Sequence, residues 1–336
     1  MDKHLPAYAP IDASVAAAIS QAVGAECIIQ HPEKLQDFSR DATPLERVPE
    51  LVVEATETAQ VQALLQLANA HRFPVTPRGL GTGLAGGAVP VCGGVVLSLA
   101  KMKQIITVDG NNLIAVVEPG VINADLKKAA QNAGLFYPPD PASFETCSIG
   151  GNAATNAGGT SCVKYGTTRD YVLGLEAVLP SGEVINTGVQ TRKGVVGYDL
   201  THLLVGSEGT LAVITRLILK LLPRPAAVGT IAAIFSHLTD AMAGVSAILN
   251  GGLSPCAMEF LDRNNGTYDC ILMFDVLEHF DTKELLELLK KIEGALSSGG
   301  TVVIRVPNAL APVSPLRFTD ITHRQYFTSL SLKQLL

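Results

Sequence analysis

The placement of glycine constrains this 336-residue chain more than any other feature. Three glycine-rich segments fall between residues 77 and 210: PRGLGTGLAGG, SIGGNAATNAGG and GSEG. Glycine adopts positive φ at little cost and leaves room for another group against the main chain. Successive inward-turned N–H groups then make a cradle for anions. One such segment is often a tight turn. Three of them favour loops that converge on a ligand carrying phosphates.

Gly81-Thr-Gly83-Leu-Ala-Gly86 spells G-x-G-x-x-G, the fingerprint of nicotinamide enzymes, but its surroundings reject that reading. PELVVEA predicts a strand, and TAQVQALLQLANAHR places Val61, Leu64, Leu65 and Ala68 at helical spacing. FPVTP then returns to an extended chain, so the glycines follow a second strand rather than a first. They run into GGAVPVCGGVVLSL, where Pro90, Gly93 and Gly94 oppose a helix and VVLSL predicts a strand. A dinucleotide turn of the Rossmann kind opens directly into a helix, with an acidic residue about 20 positions on. Neither is present.

A hydrophobic content of 47% suffices for packed cores, and a net charge of −6 opposes a nucleic-acid surface. Basic runs extend no further than pairs such as Lys127-Lys128 and Lys290-Lys291. No 18-residue apolar stretch predicts a transmembrane segment, and the N-terminal residues do not read as an export signal. The six cysteines form no C-x-x-C pair, which fits reduced thiols and a cytoplasmic location. The seven histidines are too dispersed for a local metal motif, so no metal site is expected.

Farther along, QIITVD and LIAVVEPG predict strands, and VINADLKKAAQNAGL a helix with Gly134 as its C-cap. HLLVGSEGTLAVITRLILKLLP sets Gly-Ser-Glu-Gly-Thr between two β-rich runs. VGTIAAIF, LTDAMAGVSAILN and PCAMEFLD read as strand, helix and strand, opening a smaller α+β unit. A polar, turn-forming stretch marks a boundary at residues 262–267. Beyond it YDCILMFD predicts a strand, and TKELLELLKKIEGAL a helix with Leu285, Leu288, Leu289 and Ile292 on one face. SSGG predicts a stop and TVVIRVPN a second strand, together a β-α-β unit with parallel strands.

PRGLGTGLAGG, SIGGNAATNAGGTSCVKYGTTRDYVLGLEAVLPSGEVI and GYDLTHLLVGSEGTLAVIT resemble the FAD-binding domain of the vanillyl-alcohol-oxidase flavoproteins, the p-cresol methylhydroxylase (PCMH) type. Within that family they are most similar to the glycolate-oxidase FAD-linked subunit and the D-lactate dehydrogenases. The resemblance runs from about residue 10 to residue 262. It implies FAD as cofactor, with Pro77, Arg78, Gly79, Leu80, Gly81, Thr82 and Gly83 around the pyrophosphate. It carries Ser143, Thr146, Cys147, Ser148, Gly150 and Gly151 to the flavin and its ribityl chain, and Thr155, Asn156, Ala157 and Gly158 to the close of the second loop. Glu208, Gly209, Val213 and Ile214 fall on the adenosine and isoalloxazine side.

Some relatives tether the flavin through a His or Cys of the first loop. That loop has neither here, so noncovalent FAD is expected, with Cys147 and Cys162 as packing residues. The resemblance implies oxidation of a small 2-hydroxy acid to a 2-oxo acid by hydride transfer, with an iron–sulfur or other electron-transfer subunit as a partner. Such chemistry needs an Arg for the carboxylate and a base for the hydroxyl proton. In the family these lie in a cap with a segment of the H-x6-H-G-D-G-N kind, which has no counterpart here. AMEFLD (257–262) matches the start of the cap, and there the likeness stops. Arg169 is a candidate to face the flavin, but it reads better as a structural ion-pair partner. No catalytic residue is assigned.

Residues 268–336 resemble the C-terminal half of a class I S-adenosylmethionine methyltransferase, in which the stretch matching Phe274-Asp275-Val276-Leu277-Glu278-His279 borders the methyl donor. The E-x-G-x-G donor loop of that family has no counterpart before Tyr268. Glu278 and His279 also read simply as helix-start residues.

The expected fold is therefore α+β. Residues 1–48 form an N-terminal helical segment, and 49–225 a two-subdomain PCMH-type FAD-binding fold. Residues 226–262 form the start of a ferredoxin-like cap, and 263–336 a methyltransferase-type β-α-β fragment. Three functions follow from this reading: an FAD-linked 2-hydroxy-acid dehydrogenase impaired by loss of most of its cap, a methyltransferase, or a non-catalytic fused gene product.

Overall fold

The computed structural model describes residues 8–259, apart from 192, 230, 232 and 234–237, together with residues 268–274 and 282–305. The chain divides into two units, Met1–Ala226 with Leu253–Met258, and Ala227–Gly252 with Glu259–Leu336. No helix among the described residues is long and apolar enough to cross a membrane.

The first unit is α+β and begins with the helix Ala13–Val23. Its N-cap Asp12 accepts hydrogen bonds from the N–H groups of Ser14 and Val15 at 2.8 and 2.9 Å, satisfying two of the free amides of the first turn. A four-stranded sheet follows, made of β1 (Ile28–Ile29), β2 (Leu51–Glu54), β3 (Val75–Arg78) and β4 (Val95–Ser98) in the order β1-β2-β4-β3. β2 and β3 both run parallel to β4, while β1 is antiparallel to β2. Parallel strands need a crossover, and the helix Thr58–His71 supplies the one between β2 and β3. It buries Val61, Leu64 and Leu65 against Leu51, Val53, Val95 and Leu97, as its apolar spacing predicts.

The second sheet is antiparallel throughout. It comprises β5 (Ile105–Asp109), β6 (Ile114–Val117), β8 (Val172–Val178), β9 (Val184–Gly188) and β10 (Val213–Lys220), in the order β5-β6-β10-β8-β9. Leu175, Leu217 and Leu219 of this sheet pack with Leu126 and Ala130 of the helix Asn123–Asn132 and with Ile149 and Ala153 of the helix Ile149–Thr155. Past the first of these helices Gly134 takes φ +73°, the left-handed turn expected of it. A two-strand ribbon, β7 (Leu135–Phe136) with β11 (Leu222–Pro223), completes the unit.

The two sheets share a core. Val178 of β8 and Val213 of β10 are buried with the first sheet's residues. On β8, Glu176 Oε1 accepts from Thr58 Oγ1 at 2.9 Å and from Thr215 Oγ1 at 3.0 Å, tying the crossover helix to the second sheet.

One element departs from its expected form. The run HLLV before the third glycine loop is a helix, Leu200–Leu204, rather than a strand. Asp199 caps it, its carboxylate accepting from the N–H of His202 at 3.0 Å, and Thr201 and Leu204 fill its buried face. An N-cap of this kind outweighs the weak strand propensity of four residues.

In the second unit LTDAMAGVSAILN is helical over Leu238–Asn250, as predicted. Residues 255–259, the described part of the strand expected in PCAMEFLD, carry no regular structure, and half of VGTIAAIF lies outside the described residues. β12 (Tyr268–Phe274), the helix Thr282–Ala295 and β13 (Leu296–Arg305) form the predicted β-α-β unit with parallel strands. The helix ends at Ala295, just ahead of the predicted SSGG stop, but SSGG itself lies inside β13 rather than before it. The register shifts between Tyr268↔Leu296 and Cys270↔Thr301, so the extra residues are absorbed as an irregularity, a common place for glycine in a strand. Asp275 to His279 and residues 306–336 lie outside the described residues.

Candidate functional site: a cavity between three glycine loops

The first loop leaves the C-terminal end of β3 at Gly79 and reaches β4 at residue 95 without helix or strand. No hydrogen bond runs from an N–H of residues 79–85 to another described residue. At Gly81 φ is +70°, and a Cβ there would collide with the guanidinium of Arg78. Only glycine lets the chain turn back over that side chain.

The second loop enters the helix Ile149–Thr155 at Ser148, whose Oγ accepts from the N–H of Gly151 at 3.2 Å. Gly150 donates to the carbonyl of Pro119 at 2.8 Å, which fixes the helix start against the end of β6. The third loop is tied to the second, because Gly206 and Glu208 donate to the carbonyls of Ala153 and Ala154 at 2.9 and 2.8 Å. It also meets the first. A Cβ on Gly209 would lie 3.2 Å from Pro77 Cγ, and one on Gly87 would lie 2.8 Å from Glu208 Oε2. Glu208 itself sits at φ +52°, an uncommon conformation for a residue with a side chain.

These contacts enclose a cavity of about 700 Å³. All seven residues from Pro77 to Gly83 line it, as do Ser143, Ser148, Gly150, Gly151, Thr155 to Gly158, Glu208, Gly209, Val213 and Ile214. Thr146 and Cys147 do not. Thr146 is exposed, and Cys147 is buried in the protein interior. Among the residues lining the cavity there is no Cys or His.

The charge in the cavity wall is unusual. Arg78 is 8% exposed, and no carboxylate of a described residue lies within 4 Å of its guanidinium. Its Nη1 donates to the carbonyl of Ala88 at 3.2 Å, and the group lies 5.8 Å from the centre of the Phe38 ring. Burial pulls its pKa below the usual arginine value, opposed by the charge of Asp41. A buried guanidinium without a contacting anion is costly, and a phosphate is the partner its fork matches. Unpaired amides beside an unpaired guanidinium therefore suit the diphosphate of a dinucleotide such as FAD.

Arg169 holds the loops together from behind. Its guanidinium donates to the carbonyls of His202 and Val205 at 2.6 and 2.8 Å, and its N–H donates to Asn156 Oδ1 at 2.9 Å. It is structural, as expected, but it acts on carbonyl groups rather than as an ion-pair partner, and it does not line the cavity. Cys162 likewise packs outside the cavity, its sulfur accepting from the N–H of Gly159 at 3.1 Å.

Sequence reasoning missed Asp41 and Asn152, both of which line the cavity. Asp41 lies 36 positions before Pro77 and belongs to no glycine motif. The carbonyl of Gly83 accepts from the N–H of Ala42 at 3.1 Å, which brings this segment to the first loop. Asn152 lies inside the second motif, but its side chain carried no signal of its own there.

Residues 49–188 match the family described as FAD binding domain, and residues 223–336 match the family described as methyltransferase domain. Glycolate oxidase subunit GlcD of Bacillus subtilis is 44% identical over 243 residues, covering 70% of this chain and 52% of that protein. A D-lactate dehydrogenase of Archaeoglobus fulgidus is 46% identical over 213 residues, covering 63% of this chain and 47% of that protein. The chain thus spans about half the length of the curated relatives it matches. Among solved structures, p-cresol methylhydroxylase with substrate bound superposes with a TM-score of 0.62 at 25% identity, over 72% of this chain and 50% of that one. Alkyldihydroxyacetonephosphate synthase, at 22% identity and a TM-score of 0.65, shares the fold. Residues 49–188 of this chain belong to the FAD-binding domain family of the PCMH type, and FAD is the cofactor of that domain.

Proposed function

We propose that the chain binds FAD noncovalently in the cavity between the three glycine loops and takes part in the oxidation of a 2-hydroxy acid to a 2-oxo acid. The observation that carries the substrate class is the 44% identity to a glycolate oxidase subunit, set beside 46% identity to a D-lactate dehydrogenase. Glycolate and D-lactate share one reacting unit, a carbinol carbon next to a carboxylate. Bound FAD supplies the acceptor for the hydride of that carbon.

In this reading the chain's own residues bind and orient. Pro77 to Gly83 surround the diphosphate, and Arg78 carries the opposite charge. Ser143, Ser148, Gly150 and Gly151 pass along the flavin and ribityl chain. Glu208, Gly209, Val213 and Ile214 border the adenosine and isoalloxazine side. With no Cys or His in the lining, nothing there offers a covalent tether. The groups that would take the hydroxyl proton and hold the carboxylate are not assigned to residues of this chain. The name of the Bacillus relative marks it as a subunit. An electron-transfer subunit is accordingly proposed as the partner, and the cytoplasm, where free cysteines persist, as the location.

The test is anaerobic addition of glycolate or D-lactate to the FAD-loaded chain. Bleaching of the flavin band supports the substrate class. A loaded chain that keeps its oxidised spectrum with both acids, and turns over neither with an artificial electron acceptor, refutes it.

A second reading, methyl transfer, is favoured by the match of residues 223–336 to a methyltransferase domain. Calorimetric titration of the full chain with S-adenosylmethionine decides it: a saturable heat supports this reading, and its absence removes it.

A further inference from the structure

Asp41 and Asn152 both line the cavity, one next to the Ala42 that bonds the first glycine loop and one on the helix of the second. Asp41 is 9% exposed and Asn152 is 3% exposed. Asp41 Oδ1 is used, accepting from the N–H and hydroxyl of Thr43. Its other oxygen, Oδ2, is closed to water and has no hydrogen-bond partner among the described residues. Nδ2 of Asn152 is in the same condition. Buried polar atoms are almost always paired, and an unpaired one costs its full desolvation. Here one atom is a pure acceptor and the other a pure donor. Both residues border the cavity, so a side-chain rotation on ligand binding would bring either atom to a partner there.

We propose that Asp41 and Asn152 are ligand-contacting residues of the FAD site, Asp41 accepting from a hydroxyl or N–H of the cofactor and Asn152 donating to one of its oxygens. This inference rests on the FAD-binding reading above. The placement of a carboxylate near Arg78 selects its partner. An acidic group repels a diphosphate, so Asp41 serves the hydroxyl or N–H part of a dinucleotide, while Arg78 and the unpaired amides serve its anionic part. The diphosphate bridge of a dinucleotide is a fully ionised diester at neutral pH and offers Asp41 no donor, which leaves its hydroxyl and N–H groups.

The sign of one substitution separates this role from a bystander's. Asp41→Asn keeps the shape and the contact to Thr43, and it places a donor where an acceptor stood. If Asp41 contacts the ligand, the full chain binds FAD about tenfold to a hundredfold more weakly, read by flavin fluorescence, with no loss of melting temperature in the FAD-free protein. If Asp41 only balances the charge of Arg78, removing its negative charge leaves FAD affinity unchanged or raises it and lowers the melting temperature of the FAD-free protein. That outcome overturns the proposal.

Asn152→Leu provides the second arm. It removes a donor that has no partner among the described residues, so the FAD-free melting temperature holds or rises while FAD affinity falls about fivefold to tenfold. Unchanged affinity in Asn152→Leu refutes the role of Asn152. Failure of the unsubstituted chain to bind FAD at all would instead strike the reading beneath the proposal.

Discussion

Gly79 and Ser148 meet across the cavity, so closely that a Cβ on the glycine would fall on the serine hydroxyl. The first loop therefore approaches the second through a missing side chain, and the hydroxyl that caps the helix Ile149–Thr155 stands in that gap. Gly79→Ala should destabilise the chain and loosen FAD. Ser148→Ala alone should cost about 1 kcal/mol through the lost cap. Because the alanine Cβ and the serine Oγ compete for one space, the double variant should be more stable than the sum of the two losses by about 0.5 kcal/mol or more. Urea denaturation of the four proteins tests this, and strict additivity would contradict the contact.

Arg78 should matter to the ligand and little to the fold. Arg78→Met removes a buried cation that no described carboxylate touches, so the melting temperature of the FAD-free chain should not fall. FAD affinity should drop by about two orders of magnitude, the cost of losing a charge-assisted pair. Gly81→Ala should act on the same group differently. It forces a side chain into a left-handed position at about 1–2 kcal/mol and pushes the guanidinium aside. Both stability and FAD binding should fall.

Much of this site was legible because backbone geometry was the signal. The glycine spacing, the strand before it and the absence of a helix after it rejected a nicotinamide turn, and the loop from Gly79 to Gly94 carries neither helix nor strand. Periodicity likewise gave the helix Thr58–His71 and its buried Val61, Leu64 and Leu65. What escaped depended on single side chains or on neighbours distant in sequence. Asp199 before Leu-Thr-His was a readable cap for the helix Leu200–Leu204, but it was masked by the apolar run. Thr146 and Cys147 fell within a motif by position, although Cys147 turns into the interior. Asp41 joins the site through the hydrogen bond from Ala42 to Gly83, a pairing that no local pattern announces.

Lys127 makes stability depend on pH. Its ammonium donates to the carbonyls of Tyr137 and Pro138 at 2.9 and 3.3 Å. Burial lowers its pKa from 10.5 to about 8, opposed by the negative charge of Asp140 and by Cys147. Below about pH 8 the folded and unfolded chains both hold the proton, and burial of the charge opposes folding. Between about 8 and 10.5 the unfolded chain still holds it while the folded chain has released it, so this contribution to stability rises with pH. The difference in unfolding free energy between the unsubstituted chain and Lys127→Met should therefore grow in favour of lysine across that window. Parallel curves would contradict it.

Arg169 should behave as a brace. Arg169→Leu leaves the carbonyls of His202 and Val205 without their donors and loosens the third loop, which then keeps only the bonds from Gly206 and Glu208 to the second. A loss of about 1–3 kcal/mol is expected, with weaker FAD binding following from the displaced loop. Arg169→Lys, with one compact ammonium in place of a fork, should recover only part of it. Full recovery by lysine would show that a single contact suffices.

Joint capture of FAD by the three glycine loops is tested most directly by titrating the FAD-free full chain with FAD, followed by flavin fluorescence and by melting temperature. Saturable one-to-one binding, a higher melting temperature with FAD, and loss of both effects in Gly81→Ala are expected. A chain that stays colourless with excess FAD and gains no thermal protection would contradict it.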